Sequence, residues 1–268
     1  GDIHDIGKNI VRALLENYGF KVVDLGRDVP PEKIVETAVR LDCRLVGLSA
    51  LMTTTVGFME ETIRQLKAAK PDCRTVVGGA VLTADYAAQI GATYYAKDAM
   101  ATVRVAEEDR VREALFSMLQ GELAGAAFLD LFAGSGAVGL EALSRGAART
   151  TFVELAPRHL ACLQANVATL GAAPRCQVVR ADVYAWLAGR QGDLFDIAYA
   201  DPPYALGAER GYAQMLGELA ARGIVKPGGL FIAEMKSHQT PDVSPSWDLC
   251  RDRVYGQTRL AVYRCVED

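Results

Sequence analysis

FLDLFAGSGAVGLEALSRGAARTTFVE, residues 128–154, reads as strand, glycine loop, helix, turn and strand in succession. Phe128 to Phe132 is an apolar run with one acid, the length expected of a strand buried on both faces. It stops at Gly134. Gly134 and Gly136, with only Ser135 between them, let the backbone turn sharply and let a ligand approach main-chain atoms without a Cβ in the way. A helix then begins near Val138, and the second strand ends in Glu154. A carboxylate at that place can take both hydroxyls of a ribose, which suits an adenosyl ligand, and a dinucleotide fits the same pattern. A tight structural turn explains the glycine pair as well, so the rest of the chain has to arbitrate.

Downstream the alternation continues. Strands are expected at Arg149 to Val153, Gln177 to Arg180, Phe195 to Ala200 and Leu230 to Met235, with helices from about Pro157 to Leu170 and from Gly211 to Arg222. Asp248 to Tyr255 and Arg259 to Cys265 read as a closing antiparallel hairpin. Asp182 follows one strand, and Asp201-Pro202-Pro203-Tyr204 follows the next, FDIAYA. A rigid β-turn is the plain structural explanation of that tetrapeptide. The chemical one is that Asp201 and the Pro202 carbonyl accept the two N–H groups of an exocyclic amine, with both prolines fixing the acceptors in place. The nitrogen then leaves conjugation with its ring and its lone pair points at an electrophile. His159 and His238 read as solvated, Trp186 as core, Trp247 as a cap on the sheet edge, and Lys226 to Gly229 as a turn into a strand.

Upstream, apolar residues fall at helical spacing from Lys8 to Tyr18, and Gly19 closes that helix. Strands are expected at Lys21 to Leu25, Leu45 to Leu51, Thr75 to Val81 and Ala92 to Ala96, separated by helices at Pro31 to Leu41, Val56 to Ala69 and Thr83 to Ile90. Strict alternation specifies a parallel sheet whose ligands lie outside the carboxyl ends of its strands. The fold class is therefore α/β: two doubly wound parallel-sheet (Rossmann-like) domains, the second with a carboxyl-terminal antiparallel hairpin. Asp98 to Leu123 lacks Pro and holds Gly121 alone, so a helix of about 23 residues, roughly 35 Å, is expected across the junction. Val111, Ala114, Leu115, Met118 and Leu119 form its apolar face, and Arg104, Glu107, Glu108, Asp109 and Arg110 read as solvated. The boundary is placed there, giving domains 1–108 and 109–268.

Composition narrows the classes. An apolar fraction of 50% with 23% charged residues describes ordinary globular protein. No apolar run is long enough to span a membrane and no charged-then-apolar leader opens the chain, so a cytoplasmic location without membrane contact is expected. The six cysteines, Cys43, Cys73, Cys162, Cys176, Cys250 and Cys265, show no C-x-x-C spacing, which argues against a zinc site and a disulfide framework. Basic and acidic residues stand at 13 against 15 up to Glu108 and 16 against 18 beyond it, so neither half advertises a nucleic-acid surface by bulk charge.

At the amino end, D-x-H-x-x-G (Asp2, His4, Gly7) joins Ser49, Leu51 and Thr53 after one strand and Gly78-Gly79 in another. With GATYYAKDAMATV following, this set resembles the cobalamin-binding domain of methionine synthase and of corrinoid carrier proteins. The resemblance implies a cobalamin site made by Asp2, His4, Asp5, Gly7, Ser49, Leu51, Thr53, Gly78 and Gly79. His4 would be the lower axial ligand of cobalt, with Asp2 and Ser49 tuning the proton on the far ring nitrogen, as second-shell carboxylates do for metal-bound imidazoles. Gly78 and Gly79 would let the cofactor tail lie against backbone. In that family a buried strand runs directly into G-D-x-H, and nothing precedes Gly1 here. Two strand edges should then be left unpaired and cobalamin bound poorly.

DLFAGSGAVGLEALSRGA, Glu154, Asp182, DPPY, VREALFSML and the closing YGQTRLAVYR together resemble the family that methylates the 2-amino group of a guanine in bacterial small-subunit rRNA. The resemblance implies S-adenosylmethionine as cofactor, held by Asp130, Phe132, Gly134, Ser135, Gly136, Glu154 and Asp182, the last through the adenine amino group. Asp201, Pro202, Pro203 and Tyr204 would form the catalytic element, and rRNA or an assembling small subunit would be the partner. Tyr204 would stack on the base, which must leave its helix to be reached. Such enzymes carry an amino-terminal basic hairpin and an R-P-T element before D-R-V-R-E-A-L-F, where this chain carries the corrinoid-like module. S-adenosylmethionine can in principle donate methyl to reduced cobalamin, but the DPPY half is built for an amine acceptor, so an artificial or mispredicted join is the economical expectation. The alternative is a corrinoid methyl carrier with an inert carboxyl-terminal half.

Overall fold

The computed structural model describes residues 3–50, 56–79, 81–192, 194–203 and 212–266, with the backbone alone for residues 3–6. The chain divides into two units, Gly1–Arg110 and Val111–Asp268.

The amino-terminal unit contains helices α1 (Ile3–Asn17), α2 (Pro31–Arg40), α3 (Val56–Ala69) and α4 (Ala84–Gln89), and strands β1 (Leu45–Ser49), β2 (Arg74–Gly78) and β3 (Tyr94–Tyr95). The strands pair in parallel in the order β1-β2-β3. Pro31 opens α2, where a missing N–H costs nothing, and the Thr83 hydroxyl caps α4 by accepting the Tyr86 N–H at 3.2 Å. Val77 of β2 packs with Met59 and Ile63 of α3 and with Leu82, Ala87 and Ile90 around α4, while Leu66 of α3 packs with Ala38 of α2 and Cys73. Helix α1 starts at Ile3, ahead of the Lys8 start that the spacing predicted.

Lys21 to Leu25 forms no strand. A strand is stable only with a neighbour to complete its hydrogen bonds, and among the described residues none lies beside this segment. Side chains hold it instead: the Lys8 ammonium donates to Asp24 Oδ1 at 2.8 Å and to the Gly26 carbonyl at 3.0 Å, and Val23 stays 48% exposed. Strand β1 is correspondingly half-buried although its sequence, LVGLS, is almost wholly apolar.

Helix α5 (Ala99–Met118) contains the division between the units. Asp109, expected in solvent, is buried. It accepts from Arg74 Nη1 at 2.6 Å and from the Tyr94 hydroxyl at 2.7 Å, which ties α5 to β2 and β3. Arg110 stacks on the Phe20 ring at 4.4 Å.

The carboxyl-terminal unit is built on strands β4 (Ala127–Leu131), β5 (Arg149–Glu154), β6 (Cys176–Arg180), β7 (Phe195–Ala200), β8 (Val225–Lys236), β9 (Trp247–Tyr255) and β10 (Thr258–Cys265), in the order β6-β5-β4-β7-β8-β10-β9. The first five are parallel, and β10 runs antiparallel between β8 and β9. Helices α6 (Ala137–Ser144), α7 (Pro157–Thr169), α8 (Val183–Ala188) and α9 (Ala213–Ala221) complete it. Helices α8 and α9 cover the sheet face that carries Leu129, Ala198 and Phe231, while α6, α7 and the end of α5 cover the face with Phe128, Phe152 and Ile197. Every residue of β4 is buried because both its faces are covered, each large apolar side chain contributing about 1.5–3 kcal/mol. The Lys226–Gly229 segment is a bulge inside β8, not a connection before it. Phe195 pairs with Val225 but Ile197 pairs with Leu230.

Candidate active site

Strand order locates the site. From β4 the chain builds outward through β5 and β6, then returns to place β7 on the other side of β4. The loops leaving β4 and β7 therefore run in opposite directions, and the crevice between them is where an open parallel sheet takes its ligand. Leu131 pairs with Ala200, so the glycine loop after β4 and the Asp201 turn after β7 leave the sheet side by side.

The glycine loop is shaped by three left-handed residues, Phe132 (φ 62°), Gly134 (φ 56°) and Gly136 (φ 80°). A bulky side chain at positive φ is rare, and such strain gathers at ligand clamps. Phe132 tolerates it because the next N–H, that of Ala133, still bonds the Val153 carbonyl at 3.1 Å and its ring packs edge-on against Tyr184. At Gly136 a Cβ would collide with Leu163, whereas a Cβ on Gly134 would meet nothing within 4 Å. Open space beside a loop of main-chain amides fits a cofactor lying there. Ser135 is exposed at the tip, its carbonyl held by Asn166 Nδ2 at 3.0 Å.

Glu154 ends β5 with its carboxylate aimed by two backbone donors. The Gly134 N–H reaches Oε2 at 2.8 Å and the Ala156 N–H reaches Oε1 at 2.7 Å. Each oxygen keeps further acceptor capacity for a vicinal diol. His159 Nδ1 lies 3.7 Å from Oε2, and the imidazole is otherwise largely exposed. Leu155, the next residue, is 55% exposed, an apolar surface that sequence reasoning passed over and that a flat heterocycle can cover. Asp182 caps α8, accepting the Ala185 N–H through Oδ1 at 3.0 Å.

Asp130 is placed differently from the expectation of direct cofactor contact. It is buried, and its Oδ2 accepts the Gly139 N–H at 2.9 Å, bracing α6 against β4. Burial pushes its carboxyl up to about 8, partly offset by the Gly139 N–H and reinforced by Glu154. The folded chain therefore keeps a proton that the unfolded chain releases above about 3.8, and stability falls as pH rises from about 4 to about 8. Asp130→Asn, neutral but still able to accept from Gly139, should flatten that decline. Urea midpoints at pH 5 and pH 8 that drop equally in both chains would refute the assignment.

Gly139 was missed by sequence reasoning. Any Cβ there would strike Phe152, Thr150 and the Asp130 carboxylate. The G-x-G-x-x-G spacing of Gly134, Gly136 and Gly139 was the available signal, since the third glycine permits close helix–strand packing.

Beyond β7, Asp201 and Pro203 are exposed and Pro202 is buried. Tyr204 lies outside the described residues. Burial raises the Tyr199 phenol well above its ordinary value, and Glu234, Asp201 and Asp130 add to the shift.

In the amino-terminal unit, Ser49 pairs with Gly78, so Ser49, Gly78 and Gly79 gather at the carboxyl ends of β1 and β2. The protein itself requires both glycines: a Cβ on Gly78 would lie 2.8 Å from the Ala96 carbonyl oxygen, and one on Gly79 would overlap Ala50. Their presence is thus explained without a cofactor tail, although the strand ends remain the expected ligand face. His4, Asp5 and Gly7 fall within α1; Asp2, Leu51, Thr53 and the side chains of His4 and Asp5 lie outside what is described. Among the described residues, no three His, Cys, Asp or Glu side chains group as a metal site.

Comparisons with known proteins divide along the same lines. The family model described as conserved hypothetical protein 95 matches residues 100–264, and the B12 binding domain model matches residues 1–104. The trimethylamine corrinoid protein of Methanosarcina barkeri is 50% identical over 111 residues, 40% of this chain and 51% of that protein. Dimethylamine corrinoid protein 1 of Methanosarcina mazei is 44% identical over 110 residues, with the same coverage. The chain thus spans about half the length of the curated relatives it matches. Among solved structures, a candidate methyltransferase from Escherichia coli matches with a TM-score of 0.54 at 34% identity, covering 59% of this chain and 87% of that one. A candidate methylase from Haemophilus influenzae matches at 0.53 and 29% identity, covering 60% and 99%.

Proposed function

The chain belongs to the family described as conserved hypothetical protein 95, and from that membership we propose that residues 109–268 methylate the exocyclic 2-amino group of a guanine in bacterial small-subunit rRNA. A methyltransferase-like domain with the fold of S-adenosylmethionine-dependent enzymes is joined here to a B12-binding domain. The observation that carries the finer reading is the side-by-side exit of the glycine loop and the Asp201-Pro202 turn from β4 and β7.

Bound along that loop, S-adenosylmethionine would supply a sulfonium-activated methyl group. Glu154 would hold the ribose, Leu155 would cover the adenine, and Asp182 would meet its amino group. Asp201 and the Pro202 carbonyl would accept the two N–H groups of the guanine amine, directing its lone pair in line with the methyl carbon. The rRNA, naked or within an assembling subunit, would have to present the base unstacked.

For residues 1–108 we infer a cobalamin site at the β1 and β2 ends, with His4 as the axial ligand of cobalt. Its support is the B12 binding domain match and the convergence of Ser49 with Gly78 and Gly79. A corrinoid methyl carrier is accordingly the second reading. We place the protein in the cytoplasm: all six cysteines are free thiols, and no helix among the described residues is long and apolar enough to cross a membrane.

Calorimetric titration of the full chain with adenosylhomocysteine and with hydroxocobalamin separates these readings. Adenosylhomocysteine binding with saturable methyl transfer to small-subunit rRNA is the expected result. Cobalamin binding alone would discard the methyltransferase reading and leave the carrier.

A further inference from the structure

Two carboxylates flank the β7–β8 seam at the mouth of the site, and the proposed reaction uses one of them. Ala200 pairs with Ala233 in the last register of β7 with β8, and Asp201 and Glu234 are the residues that follow them; both carboxylates act on the buried Tyr199 phenol. Neighbouring strands lie about 4.8 Å apart, so the two acids leave the sheet from adjacent strands, and like charges on neighbouring strands cost stability. Such a pair persists where something other than stability requires it.

Glu234 is held with care. The Tyr199 hydroxyl donates to its Oε2 at 2.6 Å, and the Tyr212 hydroxyl donates to its main-chain carbonyl. Tyr199 is buried, so its phenol remains a donor throughout the working pH range. Glu234 itself is only partly buried, and a carboxylate can accept several hydrogen bonds at once, about four in all. The arrangement fixes a second anionic acceptor beside Asp201.

We propose that Glu234 is the residue that selects guanine, by accepting its N1–H while Asp201 and the Pro202 carbonyl accept the hydrogens of N2. The inference rests on the guanine-amine reading above and deepens it. Guanine presents two adjacent donors, N1–H and the 2-amino group, which two adjacent carboxylates match. Adenine presents a bare N1 beside its amine, and a carboxylate facing that lone pair repels it. A site built to accept a substrate N–H rejects the analogue lacking it far more strongly than an apolar pocket can.

The discriminating probe is 2-aminopurine, which keeps the 2-amino group but has no hydrogen on N1. The guanosine methylated by the wild-type chain is replaced by 2-aminopurine riboside in an rRNA fragment, and kcat/KM is measured on both substrates. The wild type should disfavour 2-aminopurine by about a hundredfold or more. Glu234→Gln, whose amide can donate to a bare N1, should narrow that ratio at least about tenfold, with adenosylhomocysteine affinity kept as the control for folding. Loss of the O6 contact is common to both chains and cancels. Tyr199→Phe, which removes only the hydroxyl that aims Glu234, should narrow the ratio in the same direction by less.

If Glu234→Gln slows both substrates equally and leaves the ratio unchanged, Glu234 is a brace of the β7–β8 pairing and the inference fails. Should that variant not fold, an unchanged ratio in Tyr199→Phe has the same force. A wild-type chain that methylates no guanine amine removes the guanine reading itself, an outcome distinct from either.

Discussion

Asp201→Ala is expected to lower kcat for methyl transfer by about 10²–10³-fold while leaving adenosylhomocysteine affinity within a few-fold of wild type. Asp201 follows β7 and is exposed, so its removal takes no packing from the core. It leaves β7 beside the strand that feeds the glycine loop, and the proposed function assigns it to the acceptor amine and not to the cofactor. A neutral amine bound in the ground state makes weaker demands on Asp201 than the same nitrogen as it gains positive charge in the transition state, and the loss should appear in kcat more than in KM. Single-turnover transfer to small-subunit rRNA, run beside the calorimetric titration, measures both. Unchanged turnover would move the catalytic role away from this turn.

The second large effect is expected at Gly139. Gly139→Val should destabilise the carboxyl-terminal unit by about 3 kcal/mol or more, a large part of the 5–15 kcal/mol typical of a domain, and abolish adenosylhomocysteine binding with it. The added methyls have nowhere to go: Phe152 and Thr150 of β5 and the Asp130 carboxylate already fill that space, and Asp130 is bonded to the N–H of Gly139 itself. Gly134→Ala provides the contrast. No atom stands within 4 Å of the new methyl, so stability should fall only by about 1 kcal/mol for the positive φ. Adenosylhomocysteine affinity should nevertheless drop at least about tenfold, because the proposed cofactor would lie in that open space. Urea unfolding and calorimetry on the two variants would separate packing from binding; equal losses of stability would show that Gly134 faces the core and not a ligand.

How much of this was legible in the linear chain depends on whether a residue's role is local. The α3 helix, the β4 run and the glycine loop could be read directly, because each rests on short-range rules: apolar period and the φ freedom of glycine. Helix α8, only six residues long, went unread, since VYAWLA carries too little periodicity to be told from a buried loop. Asp109 looked like a solvated helix acid and is a buried partner of Arg74 and Tyr94, residues 35 and 15 positions away. Nothing nearby in sequence announces such partners.

The sequence by itself determined that two α/β modules follow one another, where the glycine loop lies, and which residue types stand at the strand ends, because backbone stereochemistry and burial act within a few residues. Only the tertiary structure decided that Lys21 to Leu25 is no strand, that Gly78 and Gly79 answer to Ala96 and Ala50, that Asp130 braces α6, and that Tyr199 holds Glu234. Each of those is a question of which distant segment lies alongside, and strand pairing and side-chain contact are settled when the chain closes on itself.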